Sequence, residues 1–427
     1  MSLLELIKQP RTIDESALDV ELLLDLTLKH LYDGGVLDLQ QLADRMALTG
    51  NLMEGILITL RKDFRIEALA AKENSAGVRY QLTDLGRSEA KNAYLRSGYI
   101  GRAPITIDHY RQLVEAQSVF NCTVSKAQLM EAFADVVLED HLYDQLGPAL
   151  HSGRAIMVYG PAGSGKTFIC KHLARSLGDP IYLPYAISVG REIIQFFDPL
   201  IHIPVYKVDE KVGFHFDTRT DQRLILCERP VAISGGELTM DRLELRYDPV
   251  TRLNHAPIQL KANNGIYIVD DMGRQRMPPI ELLNRWIVPM EEHTDYLTVG
   301  TGQHFPVPFD TVLMFSTNLH PLELADEAFL RRLGYKIQFT DITKEQFTLI
   351  WGNVCREQNI VTEEGVLDCV FELYDQTKRS FLPCQPRDLI GIGLDMAAFK
   401  NNRGHLSKEN IRLAWDTYFI DISGRGD

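Results

Sequence analysis

The stretch Gly160-Pro161-Ala162-Gly163-Ser164-Gly165-Lys166-Thr167 constrains this chain more than any other. It satisfies the spacing G-x-x-x-x-G-K-[ST] in full. It also stands between the apolar run Ala155-Ile156-Met157-Val158-Tyr159 and the helix-like run Phe168-Ile169-Cys170-Lys171-His172-Leu173-Ala174. A strand, a glycine-rich loop and a helix in that order turn successive backbone N–H groups, and the positive end of the helix, toward a phosphate. Gly160, Gly163 and Gly165 permit the bend, Lys166 reaches the β and γ phosphates, and Thr167 offers a hydroxyl to Mg²⁺. Residues 160 to 168, Phe168 included, are therefore the candidate nucleotide-binding residues, with ATP and Mg²⁺ as the expected cofactors. The plainer reading, a glycine turn with a surface lysine, leaves the flanking strand and helix unexplained.

At 427 residues the chain exceeds the size at which a single core keeps growing, so two or three domains are expected. Hydrophobic content of 45% and charged content of 24% are those of an ordinary globular protein. A net charge of −13 argues against a general nucleic-acid coat or a basic membrane-surface protein. The six cysteines form no C-x-x-C pair and have no neighbouring histidine cluster, which suits thiols kept reduced in a cytoplasm. No apolar run approaches the roughly 18 residues of a membrane span, and the amino terminus lacks a long apolar core. A cytoplasmic location without membrane partners is the expectation.

Leu24, Leu28 and Leu31 recur at helical spacing and stop at Gly34-Gly35, as in an amphipathic helix with a glycine C-cap. Asp38 can cap a second helix carrying Leu42, Ala43 and Met46, and Thr49-Gly50-Asn51 turns into a third with Ile56, Leu57 and Leu60. Strand-like runs 65–69 and 78–82 follow, joined by the turn-prone 73–77. Three helices and a hairpin are the order of a winged helix-turn-helix. Its third helix would present Leu52, Met53, Glu54 and Gly55 in the turns that read bases, a poor set for that task. Residues 1–102 carry 13 Lys and Arg against 15 Asp and Glu. Protein interaction is therefore favoured over DNA binding for this module.

A second fixed point is Gly265-Ile266-Tyr267-Ile268-Val269-Asp270-Asp271, an apolar strand ending in two carboxylates. After a P-loop, such a strand delivers a first acid that holds Mg²⁺ through water, here Asp270, and a second that orients or deprotonates the attacking water, here Asp271. Three further segments follow: the strand-like 311–318 ending at Asn318, the run Asp326 to Leu333 with Arg331 and Arg332, and Gln385-Pro386-Arg387-Asp388-Leu389. The order of these five segments resembles that of the AAA+ ATPases, over about residues 115–420. The resemblance implies Asn318 as the polar sensor on the γ-phosphate. It implies Arg332 as the finger that enters a neighbouring subunit's site, with Arg331 the near alternative, and Arg387 as the second sensor in a helical lid. A guanidinium in such places stabilises charge spread over a transferred phosphoryl group.

Asp271 departs from the family, which usually carries glutamate there, one methylene longer. The interval from Thr167 to Asp270 is long and contains strand-like inserts at 200–207, 224–227 and 243–247. The passage 256–271 is similar to the end of a helix-2 insert in MoxR-type proteins, and 296–307 resembles the pre-sensor-1 hairpin of that clade. Arg274, Arg276 and Arg285 are candidate interface residues, with a structural role as the alternative. Helical patterns cover 127–137, 140–150, 344–358, 362–377, 387–400 and 407–419, and 424–427 reads as a frayed tail.

The expected fold class is α/β: a P-loop AAA+ module, its parallel sheet flanked by helices and joined to a helical lid, behind an N-terminal winged helix-turn-helix domain. The boundaries expected are 1–97 for that domain, 98–114 for a linker, 115–340 for the nucleotide-binding subdomain and 341–427 for the lid. The function expected from the resemblance is ATP hydrolysis in a ring of identical subunits, a hexamer, acting on a protein client. A DNA-linked ATPase and a nucleotide-gated scaffold with very slow hydrolysis are the alternatives.

Overall fold

Five short apolar runs assemble into one parallel sheet in a computed structural model of the chain, which describes residues 2–69, 77–205, 220–399 and 404–419. They are β1 (Ile156–Tyr159), β2 (Val231–Ser234), β3 (Gly265–Val269), β4 (Thr311–Thr317) and β5 (Tyr335–Gln338). Their spatial order is β2-β3-β4-β1-β5, with every neighbouring pair parallel. All residues of β3 and β4 are buried, as strands covered on both faces must be. One face packs on helices Asp140–Ser152 and Lys166–Leu173. The other packs on helix Pro279–Glu292, whose Trp286 is fully buried against Tyr267 and Phe309, and on helix Glu327–Arg332. The order sets β1, β4 and β3 side by side, so the chain segments leaving their carboxyl ends meet at one edge. The chain is thus an α/β protein with its P-loop on a parallel sheet, the fold class that the resemblance implies.

A helical unit with its own core follows β5. Helices Lys344–Glu357, Val366–Thr377, Gln385–Phe399 and Lys408–Tyr418 surround Phe347, Tyr374 and Trp415, with ring centroids 5.4 Å apart for the first pair and 4.7 Å for the second. The third helix starts two residues earlier than its pattern predicts. The Gln385 side chain accepts from the backbone N–H of Leu382 and from the Tyr374 hydroxyl, anchoring that start.

The amino-terminal unit runs helix Val20–Gly34, strand Leu37–Asp38, helix Leu39–Met46, helix Gly50–Lys62, strands Ile66–Leu69 and Arg79–Leu82, then helix Asp84–Arg96. The three strands form an antiparallel sheet with Arg79–Leu82 in the middle. Gly35, at φ 72°, ends the first helix as its glycine pair predicts. Asp38 accepts from the N–H of Gln41 at 2.8 Å, and the Gln41 side chain returns to the N–H of Asp38 at 3.0 Å, a complete capping box. Asp38→Ala is expected to lower stability by about 1 kcal/mol, read as a shifted midpoint in urea with an unchanged slope. Of the turn 73–77 only Gly77 lies within the described residues, and the tail 424–427 lies outside them.

Residues 98–114, which read as a linker, hold strand Ile105–Thr106 and most of helix Ile107–Ala116. That strand joins a second sheet in the order 246–248, 253–255, 192–195, 186–189, 105–106, built from the long insert. Gly98 donates to Arg252 O at 3.0 Å, and a Cβ at Gly98 would overlap Thr251 O, so a glycine is required for this approach. Tyr99, Ala103, Ala186 and Ile193 share one apolar core with the amino-terminal helices. Residues 2–18 stitch the same seam. Ile7 O accepts from Asp221 N, Gln9 Nε2 donates to Ala47 O at 3.0 Å, and Thr49 Oγ1 donates to Pro10 O at 3.2 Å. The expected strand at 200–207 is not formed over its described part, where Pro204 makes a single bridge to Cys227. The strand expected at 243–247 is instead a 3₁₀ turn, Met240–Leu243, followed by strand Arg246–Asp248.

Candidate nucleotide site

Cooperation between local backbone and tertiary neighbours shapes the P-loop. Gly160 sits at φ 148° with a would-be Cβ overlapping Phe339 O; Gly163 sits at φ 84° with a would-be Cβ 2.6 Å from Cys384 Sγ of the helical unit. Both positions exclude a side chain. The loop opens into a cavity of ≈ 840 Å³ between the sheet edge and the helical unit. Lys166, Thr167, Asp270, Asp271, Asn318 and Arg387 all line it.

The side chains at the cavity floor contact one another directly. Lys166 Nζ donates to Gly160 O at 3.0 Å, Pro161 O at 2.8 Å and Asn318 Oδ1 at 2.8 Å. Burial lowers its pKa from the ordinary lysine value, and the nearby charges of Asp270 and Asp271 oppose that shift. Thr167 Oγ1 lies 2.9 Å from both carboxylate oxygens of Asp270. Asn318 Nδ2 donates to Asp271 Oδ1 at 3.3 Å, so this amide bridges the lysine and the second acid. The sequence spacing of these residues spans more than 150 positions; the strand order β3-β4-β1 brings them together.

Hard oxygen donors at Thr167 and Asp270 fit Mg²⁺, which takes one or two protein oxygens and completes its shell with phosphate and water. No cluster of three or more His, Cys, Asp or Glu suited to a metal occurs among the described residues. All six cysteines are free, and no helix among the described residues is long and apolar enough to cross a membrane.

The arginines divide into two groups. Arg387 lies on the wall formed by the helical unit and pairs with Glu357 at 3.4 Å. Arg331 and Arg332 end helix Glu327–Arg332 and do not line the cavity. Arg332 Nε contacts Glu291 at 2.6 Å, whereas Arg331, 81% exposed, reaches Glu327 only at 3.8 Å. Arg285 is tied to the buried Asp295 at 2.7 Å, which gives it a structural partner; Arg274 lines the cavity.

Several lining residues escaped the motif reading. The helix expected over 127–137 ends at Ala132, and Val136, Val137 and Leu138 instead belong to an apolar loop that lines the cavity. Ile350 and Val354 of the helical unit line the same cavity. The run Asp-Val-Val-Leu-Glu-Asp was visible in the sequence, but its orientation follows from packing. Gln275, which does not line the cavity but bonds across the turn after β3, also carried no motif signal.

Residues 343–417 match the family described as a domain of unknown function, DUF8689. No curated protein matches the chain. Among solved structures, the chain is similar to NtrX from Brucella abortus with 11% identity and a TM-score of 0.40, covering 70% of this chain and 56% of that one. A RuvB variant from Thermotoga maritima matches with 9% identity and a TM-score of 0.36, covering 71% of this chain and 74% of that one. The structure titled as the Thermotoga maritima RuvB Holliday junction branch migration motor matches with 10% identity and a TM-score of 0.35, covering 78% and 76%. The chain spans just over half the length of the NtrX structure.

Proposed function

We propose that the chain is an AAA+ ATPase of the MoxR-like, helix-2-insert type that works as a ring oligomer, a hexamer, in the cytoplasm and remodels a protein client. One observation carries the reading: a P-loop lysine and threonine, two strand-end carboxylates and a strand-end amide converge on a single cavity beneath a helical unit. In this reading Lys166 and the loop N–H groups hold the phosphates, Thr167 and Asp270 hold Mg²⁺, and Asp271 with Asn318 orients the attacking water. The adenine lies between Val136–Leu138 and Ile350–Val354. Residues 341–427 act as the lid, 115–340 as the nucleotide-binding subdomain, and 1–97 as a winged-helix module joined through 98–114.

Ring assembly is supported by the position of Arg331 and Arg332. Neither lines its own chain's cavity, so either would meet a γ-phosphate only on a neighbouring copy. A protein client is favoured over DNA by the seam at the third helix of the amino-terminal module. Pro10 accepts from Thr49 at the start of that helix and Ile13 lies near Gly55, while Leu52 and Met53 are buried and the exposed residues of those first turns, Asn51 and Glu54, offer no cation to a phosphate backbone.

The test is turnover per subunit as protein concentration rises, with Mg·ATP saturating. A rate that climbs with concentration is expected for a site completed by a neighbour. Arg332→Ala alone is expected to lose about 10³-fold in rate, on the scale of a finger arginine. Mixing it with subunits whose P-loop lysine is removed should restore part of the activity, because the finger acts in trans. No recovery in the mixture would transfer the role to Arg331 or to a site completed in cis. A flat rate near zero with nucleotide bound would make the chain a nucleotide-gated scaffold instead.

A further inference from the structure

The turn that leaves β3 is held by a side chain to which no motif assigns a role. Asp271 lies at φ 50°, a left-handed backbone that residues with a Cβ rarely adopt. Gln275 Nε2 donates to Asp270 O at 3.0 Å and to Asp271 O at 3.3 Å, while its Oε1 accepts from Gly273 N at 2.8 Å. One amide therefore closes the turn from both sides. The intervening Met272 is pinned separately: its N–H donates to Ser316 O at 2.8 Å, and its carbonyl accepts from Thr317 Oγ1 at 2.8 Å.

This geometry bears on the missing methylene at position 271. A left-handed residue turns its Cα–Cβ bond away from the direction that an extended strand end would give it. The carboxylate's position is then decided by the turn as much as by side-chain length, and it ends 3.3 Å from Asn318 Nδ2. We propose that Gln275 is the positioning residue for Asp271, its amide holding the left-handed turn that places the short carboxylate beside Asn318. The inference rests on the reading of the site as an ATPase with Asp271 at the water.

Gln275→Glu tests it with little change of shape. The substitution keeps an acceptor for Gly273 N but replaces the two donated hydrogen bonds by an oxygen facing two carbonyls. Turnover is expected to fall about 10–100-fold, the scale of a catalytic group misplaced by about 1 Å. Affinity for a non-hydrolysable ATP analogue with Mg²⁺ should stay within about threefold, because the phosphate-binding groups are untouched. In the nucleotide-free protein, amide exchange of the segment 271–275 should accelerate while the rest of the sheet keeps its protection.

A second variant separates aim from general damage. Adding Asp271→Glu to Gln275→Ala supplies reach that does not depend on the turn, and is expected to recover at least about fivefold of the lost rate. Turnover of Gln275→Glu within about threefold of wild type, or loss of affinity equal to the loss of rate, would overturn the proposal. Absence of rescue by the longer acid would overturn it too. A wild-type chain that binds but never hydrolyses ATP would remove the underlying ATPase reading as well, whereas a wild-type rate indifferent to Gln275 would remove only this inference.

Discussion

Lys166→Ala is expected to abolish turnover and to weaken Mg·ATP binding by at least about 100-fold. The ammonium makes three contacts of 3.0 Å or less, to two loop carbonyls and the Asn318 side chain, and only 6% of the residue is exposed. Phosphate oxygens would replace some of these partners when nucleotide enters. A charge-assisted hydrogen bond contributes about 1.5–3 kcal/mol, so losing two corresponds to roughly 10²–10⁴ in affinity. Alanine also frees Asn318 Oδ1 and the carbonyls of Gly160 and Pro161, which loosens the empty loop. Titration with a fluorescent ATP analogue in the presence of Mg²⁺ measures the effect directly. Affinity within about threefold of wild type would mean that the lysine does not meet the phosphates, and the cavity would need another ligand.

Arg223→Met is expected to cost about 3–5 kcal/mol of stability, the scale for removing one partner of a buried ion pair. Arg223 is 1% exposed and Asp221 is fully buried; the guanidinium holds the carboxylate through two nitrogens at 2.8 Å and 3.1 Å. A third nitrogen donates to Pro104 O at 3.1 Å, and Asp221 N donates to Ile7 O at 2.7 Å. This pair therefore joins the amino-terminal strap, the segment after residue 98 and the insert. Its loss leaves a carboxylate without its cation where water does not reach. Denaturant unfolding reads the cost, and proteolysis should release residues 1–97 sooner than in wild type. Adding Asp221→Asn should recover more than about 1 kcal/mol, since the uncompensated charge is gone. Equal stability of the single variant and wild type would show that the seam is held by its apolar contacts alone.

The residues of the candidate site were legible because they are close in sequence or fixed by strand ends. A P-loop needs specific glycines at specific spacing, so Gly160 to Thr167 announced the turn, the lysine and the hydroxyl before any tertiary contact was considered. Asp270, Asp271 and Asn318 were legible for a related reason: each ends an apolar run long enough to be a buried strand. The capping pair Asp38 and Gln41, and the glycine stop at Gly35, were equally local.

Other features were decided by packing between distant segments. Residues 98–104 have a linker's composition, yet Gly98 is there to let the backbone reach Thr251, and Ile105 pairs with Ile187. Arg285 carries no sign of its partner in its neighbours; only the fold sets it on Asp295. The same holds for Val136 to Leu138, where a helical pattern yields to a loop facing the cavity.

The sequence by itself determined that this chain has a glycine-rich loop between a strand and a helix, and strand ends carrying two acids and an amide on an α/β sheet, because those features act through the backbone over a few residues. The tertiary structure decided where the amino-terminal module is mounted and which arginines line the cavity. Those outcomes depend on strand order and on contacts between segments as far apart as Ile7 and Asp221, for which no local pattern exists.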